Sequence, residues 1–168
     1  VARRFRGEYT FKVDTKGRVS IPAHFRRVLE AGDPNWTDGL RPELVIVYGD
    51  HRRKFLEVYT IEAIDEVSDQ IEDMQRGSPE RRMLERLING QSHPTEVDGD
   101  GRLVLPQKLR EKIGLEKEAF FIASGDTFQI WKPETFEAEN AVYMDALEDE
   151  YPEDFDPLTL LPPKKKGD

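Results

Sequence analysis

Val13-Asp14-Thr15-Lys16-Gly17-Arg18-Val19-Ser20-Ile21-Pro22 is written twice in this chain, the second time as Val97-Asp98-Gly99-Asp100-Gly101-Arg102-Leu103-Val104-Leu105-Pro106. Val, Asp, Gly, Arg and Pro return at identical offsets, and apolar residues match at 19/103 and 21/105. After each proline a short helical pattern follows, with Phe25-Arg26 answered by Leu109-Arg110. Two copies are too few for a solenoid, so the repeat predicts a duplicated small module closed on itself.

Around the first copy, Glu8 to Val13 alternates apolar and polar residues as a half-buried strand does. Asp14-Thr15-Lys16-Gly17 carries turn chemistry, and Arg18 to Ile21 is a second short strand. Pro22 opens a helix with Phe25, Val28 and Leu29 on its apolar face and Gly32 as the expected left-handed stop. Leu44–Tyr48 and Phe55–Tyr59 read as strands joined by the charged connection 49–54. Ala119–Ala123 and Phe128–Trp131 answer them, so the repeat is a strand-turn-strand-helix-strand-strand unit. Between the copies, Ile61, Ile64, Val67, Ile71 and Met74 recur at helical spacing. A second helix starts at Ser78-Pro79, carries Met83, Leu84, Leu87 and Ile88, and ends at Gly90. This helical hairpin can pack on its own barrel or on a neighbouring subunit. Pro133 to Met144 fits an acidic helix, and beyond Asp145 prolines and dense acid predict a mobile tail. The expected organisation is a first module over 5–61, a helical hairpin over 62–91, a second module over 92–138 and an acidic proline-rich tail over 139–168.

Charge distribution matters more than the net charge of −9. Residues 1–30 hold eight Lys and Arg against three acids, whereas residues 133–156 hold ten acids and no Lys or Arg. A basic head on an acid-tailed chain points to a polyanion surface at one end. There is no cysteine, so no disulfide framework, thiolate metal site or thiol nucleophile. No apolar run is long enough to span a bilayer, and the basic start has no apolar segment of a secretory signal behind it. The expectation is a cytoplasmic, nucleoid-associated protein with no membrane, cofactor, metal or small-molecule substrate.

Asp14 and Arg18, and likewise Asp98 and Arg102, lie close across a tight turn and can pair or cap it, with Gly17 and Gly101 supplying its shape. The first turn carries Lys16 beside Arg18; the second carries Asp100 beside Arg102. Phosphate affinity grows with the number of neutralising cations, so the first copy is expected to be the stronger DNA contact. Arg18 suits bidentate pairing with guanine O6 and N7. Lys16 and Arg6 suit phosphate contacts, which position without specifying, and Arg3 and Arg4 form a basic arm. Glu96-x-Asp98-x-Asp100-Gly101 resembles the opening of a calcium loop, but Gln107 stands where the bidentate carboxylate belongs. His24, His51 and His93 have no metal-binding spacing, and nothing singles out a catalytic pair, so an enzyme is not expected.

At Phe5-Arg6-Gly7, Asp14-x-Lys16-Gly17-Arg18-x-Ser20-Ile21-Pro22, Arg81-Arg82…Arg86…Gly90 and Asp98-Gly99-x-Gly101-Arg102-Leu103, the chain resembles the MraZ family of bacterial transcriptional regulators. The resemblance covers roughly residues 5 to 140. It implies an α+β, mainly β fold: the swapped-hairpin barrel of AbrB and SpoVT proteins, with both interlacing copies in one chain. It also implies ring-forming homo-oligomers that bind direct repeats in the promoter of the division and cell-wall gene cluster. The family's DNA-contacting arginine falls on Arg18, and its second-copy counterpart on Arg102. The competing reading is an antitoxin-like or scaffold module that acts on a protein partner through the acidic tail.

Overall fold

The structure, a computed structural model, describes residues 4–165 and 167; Arg3 lies outside them. The chain divides into two units, Val1–Phe136 and Glu137–Asp168.

In the first unit the order is β1 (Glu8–Lys12), β2 (Arg18–Ser20), α1 (Ala23–Ala31), β3 (Glu43–Val47), β4 (Phe55–Thr60), α2 (Ile61–Glu72) and α3 (Pro79–Leu84). A π-helical turn (Glu85–Gly90), β5 (Ser92–Glu96), β6 (Arg102–Val104), α4 (Gln107–Lys112), β7 (Glu118–Ser124) and β8 (Thr127–Trp131) follow. The fold is mixed α+β with antiparallel sheets. Six strands form one sheet in the order β1-β7-β8-β4-β3-β5, and β2 and β6 form a separate two-stranded ribbon.

The pairing crosses between the copies. β1 of the first copy pairs with β7 of the second, Glu8 opposite Ile122 and Lys12 opposite Glu118. β5 of the second copy pairs with β3 of the first, and β2 pairs with β6. Neither copy therefore completes its hydrogen bonding alone. The expected closed barrel is not what forms. β1 and β5 are the edges of an open sheet, and each edge strand runs on through its Asp turn into one strand of the ribbon. Pro94 in β5 has no N–H to offer a further strand, which suits an edge position.

Alternation along the strands builds two layers of packing. Leu44 and Ile46, Leu56 and Val58, Ala119 and Phe121, and Phe128 and Ile130 face one core, joined by Val19 and Leu103 of the ribbon and Phe25, Leu29 and Leu109 of the helices. Phe25 and Phe128 sit 4.8 Å apart by ring centroid, and Phe5 packs edge-on against both. Full burial of each such side chain stabilises the fold by about 1.5–3 kcal/mol. On the opposite face of β3, Val45 and Val47 pack with Ile64 of α2 and with Ile61 and Ile88. The helical hairpin therefore rests on the chain's own sheet.

Several local details differ from the sequence reading. Gly32 does end α1, but with φ −88; it must be glycine because a Cβ there would come within 2.5 Å of the Thr60 side chain. Ser78 caps α3 by accepting the Arg81 N–H at 3.2 Å, yet the helix widens after Leu84 into the π-helical turn. There the Gln91 N–H bonds back to the Arg86 carbonyl.

Helix α5 (Pro133–Glu150) crosses from the first unit into the second. It outlasts the boundary expected near Asp145, because the sequence to Glu150 is rich in Ala, Leu, Met and Glu, good helix formers. Its first turn is anchored by Phe136, 4.4 Å from Phe120 and 5.4 Å from Trp131 by ring centroid. In the second unit Tyr151 stacks on Phe155 at 4.2 Å. Asp156 then caps a short 3-10 turn (Pro157–Leu160) by accepting the Leu158 N–H. The stretch expected to lack regular structure thus holds local order wherever a ring pair or an Asp cap supplies it.

Candidate nucleic-acid interface

Each Asp turn is closed by the same bonds to backbone N–H groups, while the two arginine side chains are held differently. In the first, Asp14 Oδ1 accepts the N–H groups of Lys16 (3.0 Å) and Arg18 (2.9 Å), and Arg18 Nε donates to Asp14 Oδ2 (2.5 Å). The Asp14 N–H donates to the Arg18 carbonyl and the Gly17 N–H to the Asp14 carbonyl, both at 3.0 Å. In the second, Asp98 Oδ1 accepts the N–H groups of Asp100 and Arg102, both at 2.9 Å. Arg102 is held by two carboxylates, Asp100 Oδ2 at 3.1 Å and Asp98 Oδ2 at 3.5 Å. Gly17 and Gly101 have φ of +83 and +75, the left-handed region that side chains avoid. The acids that suggested a calcium loop are thus turned toward backbone N–H groups and a guanidinium.

The two turns also close on each other. The Leu105 N–H donates to the Gly17 carbonyl at 2.8 Å, and the Ile21 N–H to the Gly101 carbonyl at 3.0 Å. Beneath each glycine lies an arginine from the other copy. Arg110, whose Nε donates to the Leu105 carbonyl at 2.9 Å, packs under Gly17, and Arg26 packs under Gly101. A Cβ on either glycine would strike those groups, the Leu105 carbonyl and Arg110 at Gly17 and the Arg26 guanidinium at Gly101. Sequence reasoning missed this buttressing role, although the matched offsets of Arg26 and Arg110 after each proline were its signal.

Between the turns lies the ribbon, with Arg18 opposite Val104, Val19 opposite Leu103 and Ser20 opposite Arg102. Val19 and Leu103 are 1% and 0% exposed. Alternation therefore turns Arg18, Ser20, Arg102 and Val104 to the outer face. Arg18 and Arg102 are diagonal neighbours there, with Cα atoms about 7–8 Å apart. Lys16 is exposed on the adjoining turn.

Arg4 and Arg6 lie elsewhere. Phe5 is buried and its N–H bonds to the Gly125 carbonyl, while the Gly7 carbonyl accepts the Ala123 N–H. That ties exposed Arg4 and Arg6 beside the β7–β8 turn. The length of β1, about 17 Å for five residues, separates them from the Asp turns. The structure brings Lys16, Arg18 and Arg102 together and leaves Arg4 and Arg6 at the other end of the strand.

Electrostatics favour charged turns. The Arg18 backbone N–H, outweighing partial burial and helped by the Arg18 side chain and the Lys16 N–H, holds Asp14 below the usual carboxylate value. At Asp98 burial pushes upward, but the Arg102 and Asp100 N–H groups and nearby arginines outweigh it, and the carboxyl again lies low. Because Arg102 faces two carboxylates and Arg18 one, the charge of the Arg102 guanidinium is the more neutralised, and the second turn is net acidic where the first is net basic. No described helix is long and apolar enough to cross a membrane.

Comparison with known proteins gives one consistent result. The family described as "MraZ protein, putative antitoxin-like" matches residues 4–87 and 89–148. A protein of Ruegeria pomeroyi named transcriptional regulator MraZ is 68% identical over 161 residues, 96% of each chain. The protein of the same name from Cereibacter sphaeroides is 45% identical, over 96% of this chain and 97% of its own. That of Rickettsia akari is 37% identical over 133 residues, 79% of this chain and 84% of its own.

Proposed function

This chain belongs to the MraZ family, and on that premise we propose that it is a transcriptional regulator that binds promoter DNA through the β2–β6 ribbon. The observation that carries the reading is the ribbon's outer face, where two arginines point away from the core beside an exposed lysine. The major groove of B-DNA admits a two-stranded ribbon, and an arginine there pairs bidentately with guanine. Arg18 reads a base, Lys16 contacts phosphate, and Arg102, doubly engaged by Asp98 and Asp100, contributes less. Arg4 and Arg6, set back along β1, reach only flanking phosphates.

The inter-copy pairing of β1 with β7, β5 with β3 and β2 with β6 supports reading the fold as a swapped-hairpin module within one chain. In the same proposal subunits assemble into a ring. Neighbours then engage direct repeats spaced about one helical turn, near 10 bp, on one side of the duplex, and weak contacts add through effective concentration. The target by family resemblance is the promoter of the division and cell-wall cluster.

The test is a gel shift on duplexes that the full chain selects from a random-sequence pool. Arg18→Ala should lose sequence-specific binding while keeping its particle mass, and Arg102→Ala should lose less. An unchanged shift with Arg18→Ala would remove that residue from the site. The acidic second unit, Glu137–Asp168, favours one rival, a protein-interaction module; salt-dependent binding of selected DNA by a chain ending near Glu139 argues against it.

A further inference from the structure

The ribbon's backbone follows an approximate twofold through the Val19–Leu103 pair, yet its outer face does not. At one end Arg18 stands opposite Val104; at the other, Arg102 stands opposite Ser20. Val104 is 44% exposed, an apolar side chain on a face otherwise made of two arginines and a serine. Nothing in the core explains it, since its neighbours in sequence, Leu103 and Leu105, fill that role at 0% exposure.

Resting on the DNA-binding reading above, we propose that Val104 is a specificity-determining residue, which packs on the 5-methyl group of a thymine beside the guanine read by Arg18. The chemistry is that of the major groove, where thymine alone among the four bases carries a methyl group and apolar side chains recognise it. Cross-strand partners lie about 4.5–5.5 Å apart, so Arg18 and Val104 together span adjacent bases. The opposite end offers a hydroxyl, which bonds to donors and acceptors alike and so discriminates less. A ribbon with one guanine-and-thymine end and one permissive end has a direction. It therefore suits an asymmetric site that recurs as a direct repeat, whereas a ribbon with two equivalent ends suits a palindrome.

The experiment is a uracil scan. Each thymine of the selected duplex is replaced in turn by deoxyuridine, which removes only the methyl group, and the full-length chain's affinity is measured. One thymine per repeat should be sensitive, with a loss of about three- to five-fold, the worth of burying one methyl. In Val104→Ser the same replacement should change affinity by less than about 1.5-fold, while Val104→Ile should keep the preference. Far-ultraviolet circular dichroism and a urea midpoint close to that of the parent chain check that Val104→Ser remains folded, since Val104 is exposed. If no thymine is sensitive in the parent chain, or if Val104→Ser keeps the full thymine preference, the proposal fails although sequence-specific binding stands. If the pool yields no selected sequence, the DNA-binding reading fails first.

Discussion

Gly17→Ala tests whether the two copies are locked together at their turns. The new methyl group would be attached at φ +83 and would run into the Leu105 carbonyl, with Arg110 Nε at 2.8 Å. The left-handed conformation costs an alanine about 1–2 kcal/mol. Pushing the Leu105 carbonyl away strains the adjoining bond from the Leu105 N–H to the Gly17 carbonyl, worth about 0.5–1.5 kcal/mol. The total is about 1.5–3.5 kcal/mol before any displacement of Arg110. Gly125→Ala is the matched control, because Gly125 has φ +72 with open space where its Cβ would go. It should pay only the conformational term. Urea denaturation of the full chain followed by circular dichroism should therefore show a lower midpoint for Gly17→Ala than for Gly125→Ala. In thermal unfolding the gap should be about 2–6 °C. Equal destabilisation by the two substitutions would refute the claim that one copy's turn is seated against the other's backbone.

Lys16→Ala should weaken binding to selected and random duplexes by similar factors and reduce the slope of log K against log salt by about 0.9, the signature of one lost phosphate contact; a changed base preference with an unchanged slope would count against that role. Both turn aspartates titrate below the ordinary 3.8, so their contribution to stability is complete above that value and is lost as pH falls through the lowered folded-state values. Carboxyl titration by NMR should find both midpoints below 3.8, and either one at or above it would contradict the turn geometry. Asp33 is buried and accepts the Asn35 and Glu43 N–H groups, both at 3.0 Å. Asp33→Ala strands both donors and should cost about 2–4 kcal/mol, read as a fall in the urea midpoint; a midpoint within error of the parent chain would show that water replaces the carboxylate.

Much of this molecule is local, and what is local was legible. The Asp-to-Arg turns, the prolines before α1 and α4, the Ser78 cap and the alternating strands are each written within a few residues. What the residues by themselves do not write is partnership. Nothing in Glu8–Lys12 says that its partner is Glu118–Ser124 rather than a strand of its own copy, and only resemblance to a known family suggested interlacing. The open sheet escaped for the same reason, since strand order is a property of the assembled chain. Gly32 shows a subtler limit: a glycine at a helix end suggests a left-handed cap, yet here it answers a contact with Thr60 that is 28 residues away. At the candidate site, charge counting grouped Arg6 with Lys16 and Arg18, because it cannot see a strand's length between them. It also passed over Val104, whose exposure becomes apparent only once Leu103 is known to face the core.

The structure of the full chain bound to its selected duplex tests the central claim most directly. The account predicts the β2–β6 ribbon lying in the major groove, with the Arg18 guanidinium about 2.9 Å from guanine O6 and N7. A complex in which the ribbon faces away from the duplex, with DNA held by another surface, would contradict it.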